Sequence, residues 1–238
     1  MLASRVMNSS HPERHRAADG AEVLGSTLTP DGRELILHRR GDHLQIRCGG
    51  LELMSNHAHG SEEALAAEVL PLLATKAPRV LIGGLGMGYT LRAALDTVGP
   101  DAELHVCEVF EAVVEWNRGP LSHVAGHPLR DSRVTVLVDD VARVIETSPA
   151  TYDALLLDVD NGPEGFVLDR NDRIYDEAGV ERCRRALRPG GILAVWSSSP
   201  ARHFGERLQD GGFRMEHREV PALGDQGPPH SLYLGFLD

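Results

Sequence analysis

The stretch RVLIGGLGMGYTLRAAL, residues 79–95, decides the fold because an apolar strand runs through a glycine turn into a helix pattern. The turn holds Gly84, Gly86 and Gly88, whereas the dinucleotide fingerprint needs a glycine where Tyr89 stands. The Gly-Lys-Ser/Thr of a phosphate loop is absent as well. A glycine turn between a strand and a helix still leaves a nucleotide-sized notch at the sheet edge. The three glycines are therefore predicted to bind a nucleotide-like ligand, and the alternative is a tight turn that binds nothing.

Apolar strands alternate with helix patterns from residue 79 onward, which indicates a parallel sheet covered by helices on both faces. The helices are predicted to begin near Tyr89, Glu111, Val141 and Asp176. Two late strand patterns, residues 213–220 and 231–238, have no room between them for a crossover helix, so they should pair antiparallel. The predicted fold class is α/β, with the Rossmann-like seven-stranded sheet of the class I methyltransferase fold.

The N-terminal part is predicted to form a small antiparallel β unit. Short strand patterns are separated by the hairpin dipeptides Asp31-Gly32, Gly41-Asp42 and Gly49-Gly50. A helix should follow, with Ser61 as its N-cap. We therefore predict a flexible tail over residues 1–20, a β-hairpin domain over 21–58, and a Rossmann-like catalytic domain over 59–238.

Composition excludes several classes of protein. The formal net charge of −11 argues against nucleic-acid and membrane-surface partners. No stretch is apolar enough over sufficient length to span a membrane. The three scattered cysteines indicate reduced thiols and a cytoplasmic protein. His57 and His59 lack the spacing and partners of a metal site, so no metal is predicted.

Acidic residues stand at the ends of successive strands. Glu108 ends the second strand of the α/β part, and its carboxylate can accept hydrogen bonds from ribose hydroxyls. Asp139 and Asp140 end the third strand, where a carboxylate can accept from an adenine amine. Asp158, followed by Asn161, ends the fourth strand, where the reacting group should lie. The set predicts an adenosine-bearing cation, and the alternative is a series of solvated or helix-capping acids and an Asx-rich turn.

Residues 50–200 resemble the spermidine synthase (polyamine aminopropyltransferase) family of the class I AdoMet-dependent methyltransferase superfamily. RVLIGGLGMGYTLR is similar to the family's glycine motif followed by Thr-Leu-Arg. YDALLLDVDNGP is similar to its catalytic Tyr-Asp…Asp-x-x-Asp-Pro segment, and ERCRRALRPGGILAVWSSS to its Arg-Ala-Leu-Lys-Pro-Gly-Gly strand entry. The N-terminal hairpins also fit this family, which often uses such a unit in dimers, so a homodimer is expected.

The resemblance implies S-adenosyl-L-methionine, or its decarboxylated form, as the cofactor. The cofactor would be held by the glycine turn and by the strand-end acids: Gly84, Gly86, Gly88, Glu108, Asp139, Asp140 and Asp158. Within this set Glu108 matches the ribose position, and Asp140 with Asp139 matches the adenine position. Asp158 is expected to position the acceptor, with Asn161 and Tyr175 as catalytic helpers.

Two departures from the family pattern decide the predicted reaction. The family's glycine motif carries an Asp that helps to hold the aminopropyl end of the cofactor, and Met87 stands there instead. The second catalytic Asp matches Asn161, and an amide cannot serve as a carboxylate base. We therefore predict methyl transfer from intact AdoMet to a small amine-bearing substrate. Aminopropyl transfer from decarboxylated AdoMet to a polyamine is the alternative, and a non-catalytic nucleotide-binding protein is a third possibility.

Overall fold

The computed structural model describes residues 20–159, 162–163, 172–223 and 226–238. Within these residues the chain forms a four-stranded and a seven-stranded sheet. The predicted flexible tail, residues 1–20, lies outside the described residues except for Gly20.

The first sheet is an antiparallel meander in the order β1-β2-β3-β4, as predicted. Its strands are β1 (Glu22–Leu28), β2 (Glu34–Arg40), β3 (His43–Cys48) and β4 (Leu51–Ser55). Alternate residues of β3, namely Leu44, Ile46 and Cys48, are buried, because successive side chains of a strand point to opposite faces. One face of this sheet is therefore available to cover the α/β part.

The second sheet has the order β10-β11-β9-β8-β5-β6-β7. Its strands are β5 (Arg79–Gly83), β6 (Glu103–Glu108), β7 (Val134–Val138), β8 (Tyr152–Leu157), β9 (Leu187–Ser197), β10 (Arg214–Leu223) and β11 (Gln226–Phe236). The strands from β5 to β9 pair parallel, whereas β11 pairs antiparallel with both β9 and β10. The predicted seven-stranded α/β fold with a terminal antiparallel pair and a small N-terminal β unit is confirmed.

The helices are α1 (Gly60–Val69), α2 (Tyr89–Thr97), α3 (Glu111–Arg118), α4 (Val141–Glu146), α5 (Asp172–Tyr175), α6 (Glu177–Ala186) and α7 (Arg202–Asp210). The predicted starts near Tyr89, Glu111 and Val141 are confirmed, and Asp176 caps α6 by accepting from the Gly179 N–H at 2.6 Å. None of these helices combines the length and apolar character needed to cross a membrane.

Three local predictions differ from the structure. Helix α1 begins at Gly60 with His59 as its N-cap, so Ser61 lies inside the helix and does not cap it. The last two strands extend to the pair Leu223 and Gln226, so most of the predicted short loop, residues 221–230, belongs to the ladder between β10 and β11. Helix α7 was not predicted, because its short pattern lies between two strong strand patterns.

Apolar side chains pack on both faces of the second sheet. Val80 and Ile82 of β5 belong to the core under α1 and α2, whereas Leu81 belongs to the core under α4, α6 and α7. All three side chains are 0% exposed, which explains why β5 reads as a continuous apolar run. A third cluster joins β2 and β3 to α3, so the first sheet packs beside the carboxyl ends of β5 and β6.

Candidate active site

The glycine turn after β5 forms the floor of the site. Gly84 donates its N–H to the Cys107 carbonyl at 2.9 Å and has a φ of +90°. A Cβ at Gly84 would lie 2.1 Å from the Asp158 carbonyl oxygen, so no other residue fits there. Gly86 and Gly88 also have positive φ. Gly84 brings the backbone close to the end of β8, at the notch predicted from the sequence.

A pocket lies over this turn, between the two sheets. Its polar part comes from the strand ends, and its apolar part includes five residues of the N-terminal unit: Pro30, Leu35, Ile46, Leu53 and Met54. Sequence reasoning missed this apolar wall, because the pattern of β2 to β4 shows that one face is buried but not what it faces. The wall supplies an apolar surface suited to a flat ring or an aliphatic chain.

Glu108 is a buried carboxylate that ties two loops together. It accepts from the Leu85 N–H at 3.2 Å and from the Phe110 N–H at 3.0 Å. Burial raises its pKa, and these backbone N–H groups act in the opposite direction. Glu108 also lines the pocket, so oxygen lone pairs that the backbone does not occupy are placed for a hydroxyl donor.

Asp139 and Asp140 follow β7 and also line the pocket. Arg143 pairs with Asp139 through Nε at 2.9 Å and holds the pKa of that carboxyl below its usual value. Asp140 caps α4 by accepting from the Ala142 N–H at 2.9 Å, and Arg173 lies 3.9 Å from its other oxygen. Both acids therefore have local structural partners as well as a position in the pocket.

Asp158 lies at the end of β8 and also lines the pocket. The Thr90 hydroxyl donates to its Oδ2 at 2.7 Å. Burial raises the pKa of Asp158 to about 6, although the Thr90 hydrogen bond lowers it. A carboxylate with a raised pKa close to neutrality is suited to accept a proton from a bound amine.

A second carboxylate, Glu62, lies behind Asp158 and was missed by the sequence analysis. Burial and the negative charge of Asp158 raise the pKa of Glu62 to about 7. Ser61, which is 0% exposed, donates to Glu62 Oε2 at 2.7 Å, and its Oγ lies 2.9 Å from Nδ1 of His230. The local sequence indicates only that Glu62 is a favourable acid in the first turn of a helix. No signal in the sequence places it beside Asp158.

The raised pKa of Glu62 predicts a stability effect with a defined pH window. Protons bind the folded carboxyl more tightly than the unfolded one, so stability falls as the pH rises from about 4.5 to about 7. Glu62→Gln should therefore stabilise the protein at pH 8, by on the order of 2 kcal/mol, and have little effect at pH 4. Thermal unfolding at both pH values checks this, with Glu63→Gln, a more exposed neighbour, as the control. Equal effects of Glu62→Gln at pH 4 and pH 8 would contradict it.

The remaining predicted residues have different surroundings. Tyr175 is buried in the core under α6 and α7, and its hydroxyl donates to the Val159 carbonyl at 3.4 Å. This hydrogen bond supports the backbone beside Asp158, and Tyr175 is not among the described residues of the pocket wall. Asn161 lies outside the described residues. The catalytic roles of Tyr175 and Asn161 stay predictions.

Met87 is a buried residue of the glycine turn. It is 2% exposed and packs in the cluster that joins the first sheet to α3. The methionine therefore fills a core position in this chain. The predicted loss of an acidic contact with the cofactor at this position stays a prediction.

The histidines near the first helix make ring contacts. His57 meets the ring of His43 edge-on at 4.3 Å, and His59 stacks on Tyr89 at 4.0 Å and pairs with Glu63. In the described parts of the chain, no three His, Cys, Asp or Glu side chains converge as metal ligands would.

The charged side chains of the described pocket wall are all acidic. Among the described residues the wall contains the carboxylates of Glu108, Asp139, Asp140 and Asp158, and no Lys, Arg or His. Arg143, which is not in the described wall, neutralises part of the charge of Asp139, and the remaining carboxylates attract a cation and repel an anionic group. The arrangement can therefore bind a positively charged ligand against an apolar surface and accept a proton from it.

Two polyamine aminopropyltransferases are similar to this chain in sequence. A polyamine aminopropyltransferase of Mycobacterium tuberculosis strain H37Rv is 30% identical over 207 residues, which cover 82% of this chain and 38% of that protein. Polyamine aminopropyltransferase 2 of Pseudomonas aeruginosa is 33% identical over 150 residues, covering 57% of this chain and 39% of that protein. The chain thus spans less than half the length of these relatives.

Solved structures share the fold. Spermidine synthase from Thermotoga maritima superposes with a TM-score of 0.72 at 17% identity, covering 98% of this chain and 83% of that one. A spermidine synthase in complex with the transition-state analogue AdoDATO superposes with a TM-score of 0.71 at 18% identity, covering 91% of this chain and 72% of that one.

The family assignment comes from a sequence match. Residues 61–205 match the model of the spermine/spermidine synthase domain. The match begins at Ser61, runs through the glycine turn and the strand-end acids, and ends within α7. Because it covers more than half of the chain, this protein belongs to the spermine/spermidine synthase domain family.

Proposed function

We propose that this protein is an enzyme that transfers an aminopropyl group from decarboxylated S-adenosylmethionine to an aliphatic amine of the polyamine class. The observation that carries the proposal is the pocket wall with four carboxylates and, among the described residues, no basic side chain. Decarboxylated AdoMet is a cation at both its sulfonium and its amine. Intact AdoMet adds a carboxylate, for which this wall offers repulsion and no described cation as a partner.

The pocket residues fit this donor. Glu108 has oxygen lone pairs for ribose hydroxyls beyond those used by the backbone, and Asp140 with Asp139 stands where an adenine amine could donate. The turn of Gly84 and Gly86 allows the ligand to approach the backbone closely. The apolar side chains of the first sheet would cover the ring.

Asp158 is proposed to act on the acceptor. When bound, the donor supplies a sulfonium, and the carbon beside it is attacked by the amine nitrogen while the C–S electron pair returns to sulfur. The protein must align the two reactants, exclude water and remove an amine proton. Asp158 is a carboxylate at the pocket wall with a pKa raised to about 6, so it can hold the amine and accept that proton.

This proposal reverses the order predicted from the sequence. The sequence analysis predicts methyl transfer because Met87 and Asn161 stand where the family pattern has acids, but the pocket wall still contains four carboxylates. The two similar proteins from Mycobacterium tuberculosis and Pseudomonas aeruginosa are polyamine aminopropyltransferases, which supports the alternative over methyl transfer.

Calorimetry separates the candidate reactions. Decarboxylated AdoMet should bind the purified protein at least about tenfold more tightly than intact AdoMet, which corresponds to 1.4 kcal/mol or more. Product formation from decarboxylated AdoMet and 1,4-diaminobutane, followed by mass spectrometry, should then show aminopropyl transfer. Preference for intact AdoMet would support methyl transfer. Binding of neither compound would favour the non-catalytic nucleotide-binding protein.

The proposal expects a small-molecule amine as the partner. The net charge of −11 disfavours nucleic acid as a ligand. The homodimer stays a prediction from the resemblance, and light scattering of the purified chain at working concentration checks it.

A further inference from the structure

The side chain and the backbone of Asp158 are held by different partners. Thr90, which is 3% exposed in the first turn of α2, donates its hydroxyl to Asp158 Oδ2 at 2.7 Å. The Asp158 N–H donates to the Gly83 carbonyl at 2.8 Å, which fixes the backbone. A carboxyl held only through its backbone could still turn about its side-chain bonds. In the described part of the chain Oδ1 receives no hydrogen bond, so it is the oxygen left for a ligand.

The hydrogen bonds of Thr90 do not serve its own helix. Its hydroxyl reaches Asp158, 68 positions away in the sequence, and lies 3.2 Å from the backbone carbonyl oxygen of Glu62 in α1. The shorter contact is the one to Asp158, and a hydrogen bond to a carboxylate is the stronger kind. Thr97 in the same helix shows the ordinary local arrangement, because its hydroxyl donates to the Ala93 carbonyl at 2.7 Å. The Thr90 hydroxyl therefore acts on the end of β8 and not on the turn that carries it.

We propose that Thr90 is a positioning residue of the reaction, whose hydroxyl holds Oδ2 of Asp158 as an acceptor and thereby turns Oδ1 towards the bound amine. This inference rests on the proposed function. Thr90 is not among the described residues of the pocket wall, so it acts through Asp158.

The proposed positioning fits a balanced reaction step. Oδ1 takes a proton from the bound ammonium, and the electron pair of the broken N–H bond stays on nitrogen. That pair attacks the carbon beside the sulfonium, and the C–S pair returns to sulfur. The product leaves as a secondary ammonium, and the Asp158 proton then passes to solvent. Throughout these steps Oδ2 can accept from Thr90, because an unprotonated carboxyl oxygen keeps its lone pairs.

The charged surroundings of Asp158 make the hydroxyl important. Glu62 faces Asp158 from α1, and the two negative charges repel each other. The other acids of the described pocket wall are Glu108, Asp139 and Asp140. Because all of these neighbours are acids, none of them stabilises the ionised form of Asp158. Burial raises the pKa of Asp158, and the hydrogen bond from Thr90 lowers it. Loss of the hydroxyl should therefore leave Asp158 both less ionised and less well oriented.

Turnover with decarboxylated AdoMet and 1,4-diaminobutane tests the positioning role. Thr90→Val, which keeps the branched shape without the hydroxyl, should lower kcat by about tenfold on the pH plateau and leave the KM for the donor nearly unchanged. The acid limb of kcat, at about pH 6 in the wild type, should move up by about one pH unit. Thr90→Ser keeps the hydroxyl and should restore both values.

Thr97→Val is the matched control. It removes a hydroxyl from the same helix, where that group bonds only the helix's own backbone, so kcat and the acid limb should not change. Thermal unfolding of all three variants reports any loss of stability separately. Unchanged kinetics in Thr90→Val, or equal losses in Thr90→Val and Thr90→Ser, would overturn the positioning role.

A titration without substrate separates this inference from the proposed function. In carbon NMR of the full chain, the Asp158 carboxyl should titrate near pH 6 in the wild type, in Thr90→Ser and in Thr97→Val. Its midpoint should be about one pH unit higher in Thr90→Val. Equal midpoints in the wild type and Thr90→Val would overturn the inference. Absence of turnover in the wild type would overturn the proposed function instead, and the titration would still decide whether Thr90 controls Asp158.

Discussion

Replacement of Asp158 by Asn should lower kcat by about 10²–10⁴-fold, because the amide keeps the shape of the side chain but cannot accept a proton. Asn can still accept the hydrogen bond from Thr90, so the end of β8 should keep its structure. Binding of decarboxylated AdoMet should weaken much less than kcat falls, since Glu108, Asp139 and Asp140 remain in the wall. Steady-state kinetics and calorimetry on the same preparation check both parts.

Asp153→Asn is the matched control for this experiment. Asp153 lies in the same strand at the opposite end, where it accepts from the Arg79 N–H at 2.7 Å and pairs with Arg188 at 2.9 Å. The control removes one carboxylate from β8 without touching the pocket. Asp153→Asn should lower the free energy of unfolding and leave kcat close to the wild-type value. Equal losses of kcat in the two variants would show that Asp158 acts through the fold and not on the reaction.

Gly84→Ala should have the largest effect on stability, a loss of about 3 kcal/mol or more. The substitution places a Cβ 2.1 Å from the Asp158 carbonyl oxygen, and the backbone at φ +90° is unfavourable for any residue with a Cβ. Relief of the clash requires β5 and β8 to separate at the floor of the pocket. We therefore expect donor binding to be lost even under conditions where the variant is folded. Denaturant unfolding measures the first effect and calorimetry the second.

Gly190→Ala separates the two causes of this loss. Gly190 has a φ of +76°, and a Cβ there would meet no atom within 4 Å. The loss of stability in Gly190→Ala should therefore come from the left-handed backbone conformation alone, about 1–2 kcal/mol. The difference between the two variants measures the contact with the Asp158 carbonyl. If both variants lose the same stability, the close approach at Gly84 is not a constraint on the fold.

Most of the fold could be predicted because its signals are local. The unbroken apolar run of β5 requires burial on both faces, and the structure places Val80 and Leu81 in different cores. A parallel strand of this kind needs helices on each side, and the short interval before the last strand leaves only antiparallel pairing. The N-cap of α1 was predicted wrongly, because Ser61 has the chemistry of a cap but its hydroxyl is used by Glu62 and His230.

The candidate site was predicted in part for the same reason. Carboxyl ends of parallel strands meet at one edge of the sheet, so Glu108, Asp140 and Asp158 were expected to converge, and all three line the pocket. Whether a side chain just outside a strand faces that pocket depends on packing. Met87 turned into the core and Tyr175 onto a backbone carbonyl, and neither orientation follows from the residue type.

The sequence by itself determined the order of the strands, the glycine turn and the acids at the strand ends, because these depend on neighbours along the chain. Only the tertiary structure decided that α1 places Glu62 behind Asp158, that β11 brings His230 to Ser61, and that the first sheet closes the pocket. The physical reason is that burial and electrostatic repulsion act through space. These interactions join residues that are far apart in the sequence, and no local sequence pattern indicates that such residues meet.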